Sequence, residues 1–308
     1  MSKFINPFTD YGFKLIFGRE VSKILLIEFL NDLLEGERVI TDLTFLNNEQ
    51  LPDYPEGRGI IYDVYCTTDT GEKIIVEMQN RMQSNFKERS IFYLSRAIVN
   101  QGRTGHDWKF EIKAVYGVFL MNFIMDKNIK LRTDVILADK ETGELFSEKF
   151  RQIFIALPLF KKSEEECETN FERWIYILNN METLKRLPFK ARKAVFEKLE
   201  EIADVASMSP KERELYDNSV KVYRDYLVTM DAAEKEGIKK GMEEGLKEGM
   251  KEGLKKGLEE GLKKGLKKGR EEALNIFQTA IDMKKQGIDN QLIAEKTGLP
   301  LSLIESLK

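Results

Sequence analysis

Hydrophobic and polar positions follow two different periods along the first half of the chain. Residues 21–35 and 86–101 place apolar side chains at helical spacing, which predicts two helices. Short β-branched and aromatic runs predict strands at residues 59–67, 72–79, 112–123, 132–138 and 152–157. Because the third of these strands follows a helix, we expect a crossover to reach it. This order predicts an α/β fold with a mixed sheet flanked by helices.

The turn between the first two strands determines which of their side chains meet. Thr68-Asp69-Thr70-Gly71 predicts a hairpin in which Gly71 has the left-handed conformation of a three-residue loop. That register places Asp63 opposite Glu77. Because side chains alternate along a strand, we expect one face to hold Ile61, Asp63, Tyr65, Ile75, Glu77 and Gln79, and the other to hold Tyr62, Val64, Cys66, Ile74, Val76 and Met78.

The polar residues on the first of these faces outline a divalent-metal site. Directly opposite residues have Cβ atoms roughly 4.5–5.5 Å apart, so the Asp63 and Glu77 carboxylates can share one ion. Oxygen ligands favour Mg²⁺, with Mn²⁺ or Ca²⁺ as alternatives. The other interpretation is that both are ordinary solvent-facing residues of a sheet. The apolar neighbours of Glu77, Val76 and Met78, favour the metal site.

Further motifs accompany this pair in a fixed order. They are residues 6–18 (NPFTDYGFKLIFG), residues 29–34 (FLNDLL), Glu77-Met78-Gln79, and Phe86-Lys87-Glu88-Arg89 with Tyr93. Their order and spacing resemble the PD-(D/E)XK nuclease superfamily. Within it, they are similar to the branch of PD-(D/E)XK nuclease family transposases, or Rpn family recombination-promoting nucleases, which carry Glu-x-Gln in place of Glu-x-Lys. The resemblance covers at least the first half of the chain.

The resemblance implies a restriction-endonuclease-like PD-(D/E)XK core and a metal-dependent DNA endonuclease, linked to DNA recombination or mobile elements. It implies that Asp63 and Glu77 bind Mg²⁺ for hydrolysis of phosphodiester bonds. A lysine could assist proton transfer, whereas the Gln79 amide can only orient water or ligate through its oxygen. Gln79 is therefore assigned to positioning, with solvent as the base. Arg89 is a candidate phosphate-binding residue, and an ion pair on the helix surface is an equally open interpretation.

Two other functions remain as alternatives at this stage. The missing lysine and the long C-terminal tail are compatible with a catalytically impaired DNA-binding or oligomeric scaffold that retains the nuclease fold. A DDE-type transposase ranks third, because three dispersed acids are not evident beside the Asp63–Glu77 hairpin pair.

Composition excludes several other classes of enzyme. His106 is the only histidine among 308 residues, which argues against zinc hydrolases with two histidines and against hydrolases with a histidine base. His106 itself is expected in a loop. Cys66 and Cys167 have no metal-binding or redox spacing, so we expect free buried thiols. No segment is long and apolar enough to be a signal or a membrane span, which predicts a cytoplasmic protein. The net charge of −3 fits DNA contact through local Lys and Arg.

The C-terminal half is helical in pattern and contains an unusual repeat. Residues 163–181, 189–207 and 210–230 have helical apolar spacing. From Gly237 to Gly269 every fourth residue is glycine, nine in succession. On a helix this period drifts about 40° per step, so its apolar stripe winds around the axis. Small residues permit close helix approach and self-association, and a solvated linker is the alternative. DNA binding is disfavoured, because the 12 basic and 10 acidic residues from 234 to 272 nearly cancel.

These patterns predict four parts in the chain. The nuclease-like core covers residues 1–160, a helical extension 161–232, the glycine repeat 233–272, and a small three-helix segment 273–308. In the last part, residues 293–299 resemble the first half of a helix-turn-helix. The following segment, 301–308, offers few side chains that could read bases, so a protein-contact or capping role is expected.

Overall fold

Helices and strands follow one another along the chain largely in the order that the sequence pattern predicts. The computed structural model describes residues 2–51, 59–103, 105, 108–190 and 193–307, so the prediction for His106 lies outside the described residues. The elements are α1 (Asp10–Phe17), α2 (Lys23–Leu33), β1 (Leu43–Phe45), β2 (Glu49–Gln50), β3 (Ile60–Ile61), β4 (Val64–Thr68), β5 (Lys73–Gln79), α3 (Phe86–Val99), β6 (Val115–Met121), β7 (Arg132–Ala138), β8 (Leu145–Ala156), α4 (Asn170–Asn180), α5 (Val195–Ala203), α6 (Pro210–Lys285), α7 (Asn290–Thr297) and α8 (Leu301–Ser306). The predicted α/β class is confirmed.

One mixed sheet of six strands organises the first part of the chain. Its order is β1-β4-β5-β6-β8-β7, while β2 and β3 form a separate pair. The strands β5, β6 and β8 are parallel, and the other pairs of the large sheet are antiparallel. Helix α3 connects β5 to β6, which confirms the predicted crossover. The two central strands, β5 and β6, are almost wholly buried, because helices cover both faces of the sheet.

The β4–β5 hairpin has the register that its turn predicts. Gly71 has a φ of 94°, and the Thr68 N–H donates to the Glu72 carbonyl at 3.0 Å. Val64 pairs with Val76, so the next position along places Asp63 opposite Glu77. The turn chemistry therefore fixes the register over the length of the hairpin.

The first predicted strand, residues 59–67, is wrong as a single element. The chain bends at Asp63, and β3 before the bend pairs with β2 instead of continuing the large sheet. As a result Tyr62 does not share a face with Val64. Its ring packs 5.0 Å from that of Tyr65, and its hydroxyl donates to the Tyr93 carbonyl at 3.0 Å. This hydrogen bond and the buried aromatic contact favour the bend over a straight strand.

Other element bounds also differ from the prediction. The sequence pattern missed α1, which has only eight residues, and β1 and β2, because strands of two or three residues are too short to show alternation. Strand β8 begins at Leu145 instead of residue 152. Helix α4 begins only at Asn170, where Thr169 and Glu172 form a capping box, and α5 covers only Val195–Ala203 of residues 189–207.

Helix α6 runs through the glycine repeat, so the predicted helix end at residue 230 is wrong. The same helix includes the segment from Ala273 that was predicted as separate. Glycine lowers helix propensity without blocking the helix as an internal proline would, and Lys, Glu, Leu and Met favour it. Ion pairs four residues apart, such as Lys240 with Glu236 at 2.8 Å, add a little stability.

The chain divides into two compact units, Met1–Leu227 and Val228–Lys308. In the second unit, α7 and α8 lie where they were predicted, and Ala280, Ile293 and Ile304 form a small buried cluster with them. The division into four parts stays a prediction. Both cysteines are free and buried, as expected. Among the described residues, no helix combines the length and the apolar character that a bilayer crossing would require.

Residues 6–18 contain α1 and are held by hydrogen bonds at its N-terminal end. The Thr9 hydroxyl caps α1 by accepting the Gly12 N–H at 3.0 Å and donates to the Asn6 carbonyl at 2.8 Å. The Asn6 N–H donates to the Tyr216 hydroxyl of α6 at 2.8 Å. A Cβ atom on Gly12 would lie only 2.2 Å from the Asn6 oxygen. Glycine is therefore required there by space.

We expect Gly12→Ala to destabilise the first unit by about 1–3 kcal/mol, since the added methyl group must displace backbone. Gly253→Ala is the control, because a Cβ atom there meets nothing within 4 Å. Urea unfolding followed by tryptophan fluorescence measures the first unit through the buried Trp174. Equal midpoints for Gly12→Ala and the wild type would contradict the steric argument.

Candidate functional site

The predicted site residues meet at one end of the hairpin. Asp63 lies in the bend before β4, and Glu77 and Gln79 are among the last three residues of β5. Glu77 and Gln79 share a face with Ile75, which belongs to the buried cluster beneath α3. Arg89 reaches the same place from the first half of α3. Four positions predicted from the sequence are thus brought together.

Asp63 and Glu77 hold one another in place through backbone hydrogen bonds. The Asp63 N–H donates to Glu77 Oε1 at 3.1 Å. In return, the Met78 N–H donates to Asp63 Oδ2 at 2.9 Å. Each carboxylate is therefore fixed by the backbone of the other strand, which orients both toward the same space without an intervening cation.

Gln79 links this pair to α3. Its Nε2 donates to Glu77 Oε2 at 2.8 Å, and its Oε1 accepts from Arg89 Nη2 at 2.8 Å. A guanidinium group has only donors, so the amide oxygen must face Arg89 and the NH₂ group must face Glu77. Arg89 Nη1 also donates to Gln83 Oε1 at 2.8 Å. One continuous chain of hydrogen bonds runs from Gln83 to Asp63.

Burial makes the two carboxyls unusual acids. Glu77 is 2% exposed, so the interpretation as a solvent-facing sheet residue is wrong for it. Burial raises the pKa of Glu77 well above its ordinary value, and the negative charge of Asp63 raises it further. Burial likewise raises the pKa of Asp63, against which the Met78 N–H acts. The positive charge of Arg89 lowers the pKa of both carboxyls. A further positive charge beside them would favour the ionised forms of Asp63 and Glu77.

Arg89 is not part of an ion pair with an acid of its own helix. Its partners are the amides of Gln79 and Gln83, and its guanidinium lies 5.2 Å from the centre of the Tyr93 ring. The contact to Gln79 connects it to the carboxylates, which the sequence pattern left open. Its role in binding phosphate stays a prediction.

Three neighbours of the site were missed by the sequence pattern. Gln83 holds Arg89, and the Asn48 side chain donates to the Asp63 carbonyl at 2.9 Å. The positive charge of Lys14 on α1 lowers the pKa of Asp63. The motif at residues 6–18 pointed to α1 only as part of a resemblance. Asn48 gave no signal, because nothing local shows that it lies beside the bend.

The donor set fits a hard divalent cation. Two carboxylates lie together with only oxygen atoms to offer, and Mg²⁺ commonly uses one or two carboxylates and keeps several waters. The described part of the chain has no cluster of three or more His, Cys, Asp or Glu side chains that could hold a metal. A cation here would therefore rest on Asp63 and Glu77, with solvent or substrate oxygens completing its ligands.

Comparison with known proteins adds a family to this geometry. The family model described as PD-(D/E)XK nuclease family transposase matches residues 7–233, which contain the sheet, the hairpin pair and α3. No curated protein and no solved structure matches the chain. The matched segment covers most of the sequence and supports a role related to nucleases and transposases, and the chain belongs to the PD-(D/E)XK nuclease family transposases.

Proposed function

We propose that this protein is a divalent-metal-dependent DNA endonuclease that hydrolyses phosphodiester bonds in DNA recombination or the biology of mobile elements. The observation that carries the proposal is the pairing of the partly buried Asp63 with the buried Glu77 at the end of the hairpin, in a chain of this family. Two such carboxylates are costly to hold together in the absence of a cation. A site that binds a cation beside a cationic side chain suits a phosphodiester substrate.

Asp63 and Glu77 would hold the ion, with Mg²⁺ favoured over Mn²⁺ or Ca²⁺. When bound, such an ion lowers the pKa of water and stabilises negative charge on a phosphoryl group. The protein supplies rigidity, because backbone N–H groups fix one oxygen of each carboxylate. Asp63 Oδ1 is the carboxylate oxygen that no described hydrogen bond uses, so it is the one best placed to ligate.

Gln79 and Arg89 would position the site and the substrate. The Gln79 NH₂ group holds Glu77 Oε2, which keeps that carboxylate in its orientation. An amide cannot accept a proton at neutral pH, so solvent would serve as the base. Arg89 uses one N–H on each of Gln79 and Gln83, which leaves further donors for the oxygens of a phosphate.

We expect Asp63→Asn to reduce divalent-dependent cleavage of plasmid DNA more than about 100-fold, because losing a ligand should cost more than losing a supporting contact. Asparagine keeps an oxygen for the Met78 N–H, so the hairpin should stay folded. Cleavage is measured with Mg²⁺ or Mn²⁺ against EDTA. Full activity of purified Asp63→Asn would exclude this site, and no cleavage by the wild type would favour the scaffold alternative.

The ion should also stabilise the folded chain. We expect Mg²⁺ or Mn²⁺ to raise the melting temperature of the wild type, since a cation that binds only the folded state stabilises it. Asp63→Asn should melt higher than the wild type in EDTA, because it removes the carboxylate charge that lies beside the buried Glu77, and should lose the divalent shift. Differential scanning fluorimetry measures both. The same divalent shift in both proteins would argue against binding here.

The Gln79 contact to Glu77 can be separated from its contact to Arg89. We expect Gln79→Ala to reduce cleavage about 10–100-fold, as removal of a supporting hydrogen bond does in metal sites. Gln83→Ala is the matched comparison, because Gln83 also bonds Arg89 but does not touch Glu77. Cleavage rates at saturating Mg²⁺ should fall more in Gln79→Ala. Equal rates in the two variants would show that the Glu77 contact has no role.

We also propose that the glycine repeat of α6 joins copies of this chain. Its apolar residues are all more than half exposed, from Ile238 at 58% to Met242 at 72%. Each glycine costs the helix roughly 1 kcal/mol relative to alanine, whereas each ion pair four residues apart returns only about 0.2–0.5 kcal/mol. Contact with another helix would bury the apolar stripe, and glycine would permit the close approach.

We expect a full-length variant with Leu246, Met250 and Leu254 all changed to Gln to form a smaller species than the wild type, because the buried stripe would be interrupted. Glutamine keeps helix propensity, so circular dichroism serves as the folding control. Light scattering measures the assembly state. If the variant, and also a chain truncated after Met230, have the assembly state of the wild type, the repeat is a linker.

A further inference from the structure

A cleft lies at the end of α3 that is farther from the Asp63 and Glu77 carboxylates. It is an open cavity of about 880 Å³, walled by the β4–β5 turn, the residues that follow α3, the segment before β6 and Lys149 of β8. Helix α3 has 14 residues, which corresponds to about 21 Å. Arg89 lies near one end of this helix and Gln101 just beyond the other, so the cleft is separate from the carboxylate site.

The cleft combines two adjacent aromatic rings, whose planes are inclined by 37°, with a rim of positive charge. The rings of Trp108 and Phe110 have centroids 4.6 Å apart, and the Phe110 side chain is 77% exposed. Trp108 lies against Gly102, three residues beyond the end of α3, since a Cβ atom on Gly102 would be 3.7 Å from its ring. An aromatic pair held on one side and open on the other offers a stacking surface.

Four cations line the same cavity, with Glu111 as the one acid among its lining residues; the cations are Lys73, Arg103, Lys113 and Lys149. In the described part of the chain, none of these four has an ion-pair partner. The end of α3 contributes a partial negative charge of roughly half a unit, which the excess of cations outweighs. The whole chain is slightly acidic, so this cleft reverses the sign of the net charge locally.

We propose that this cleft binds single-stranded nucleic acid. Phosphates would meet the cations, and one or two exposed bases would stack on Phe110 and Trp108. A duplex hides the faces of its bases, so an aromatic pair suits an unpaired strand better. The cavity of about 880 Å³ has room for more than a single anion. The inference goes beyond cleavage, because it concerns a surface at the other end of α3 that shares no lining residue with the carboxylate site.

The test is fluorescence anisotropy with full-length protein and a short, fluorescein-labelled oligodeoxythymidylate in EDTA, where cleavage does not occur. We expect Phe110→Ala to weaken binding about tenfold through the loss of base stacking. Phe146→Ala is the matched control, because Phe146 is 83% exposed and does not line the cleft. Truncating an exposed ring leaves the buried core intact, so both variants should fold.

The charge contribution is tested by salt dependence. Lys113→Gln with Lys149→Gln should lower the slope of log affinity against log salt by about 1.4, at about 0.7 for each phosphate contact on a single strand. Lys140→Gln with Lys161→Gln is the control on exposed lysines outside the cleft and should leave the slope unchanged.

Three results would overturn the proposal. The first is equal affinity of Phe110→Ala and Phe146→Ala. The second is complete loss of binding in Arg89→Gln together with unchanged binding in Phe110→Ala. That result would locate the nucleic-acid strand at the carboxylate site. The third is an equal effect of Phe110→Ala on duplex DNA, which would exclude base stacking. Each readout is independent of cleavage, so a protein without nuclease activity could still bind here.

Discussion

The site depends on one electrostatic constraint, which is that the buried carboxylate of Glu77 lies beside the partly buried carboxylate of Asp63. Asp63 and Glu77 are held by N–H groups of each other's strand, so they cannot move apart without breaking the hairpin. Burial and mutual repulsion favour the protonated forms, and a cation is the alternative way to relieve the repulsion. The surrounding structure is what makes the arrangement tolerable: the central strands are buried on both faces and α3 covers Glu77. A stable core thus maintains a locally unfavourable pair, as expected of a functional site.

Gln79 stands where the wider nuclease superfamily has lysine, and it replaces a charged amine with a neutral amide that still forms hydrogen bonds. A lysine would bring a charge and a transferable proton, whereas this amide connects Glu77 to Arg89 through one donor and one acceptor. The positive charge beside the carboxylates is supplied by Arg89, from a different element. Charge and orientation, which a single lysine could combine, are divided between two residues. The arrangement is compatible with cleavage in which solvent moves the proton.

Helix α3 extends from the carboxylate site to the cleft that is lined by Trp108 and the four cations. Its first half carries Arg89 to the carboxylates, and its end forms a wall of the cationic cleft with Trp108 and Lys113. Gly117 of β6 allows this helix to lie close to the sheet, because a Cβ atom there would be 2.5 Å from Leu94 Cδ1. This contact holds α3 against β6. A nucleic acid bound at both ends would therefore span a fixed distance.

The sequence by itself determined the features that depend on neighbouring residues. The turn at Gly71 set the hairpin register and so paired Asp63 with Glu77, and apolar periodicity located α3 and the strand after it. Only the tertiary structure decided that Tyr62 turns to the opposite face, that Glu77 is buried, and that Gln79 bonds Arg89. It also brought Lys73, Arg103, Lys113 and Lys149 around one cleft. Local patterns reflect side-chain spacing along one element, whereas burial and hydrogen-bond partners depend on which distant elements pack together.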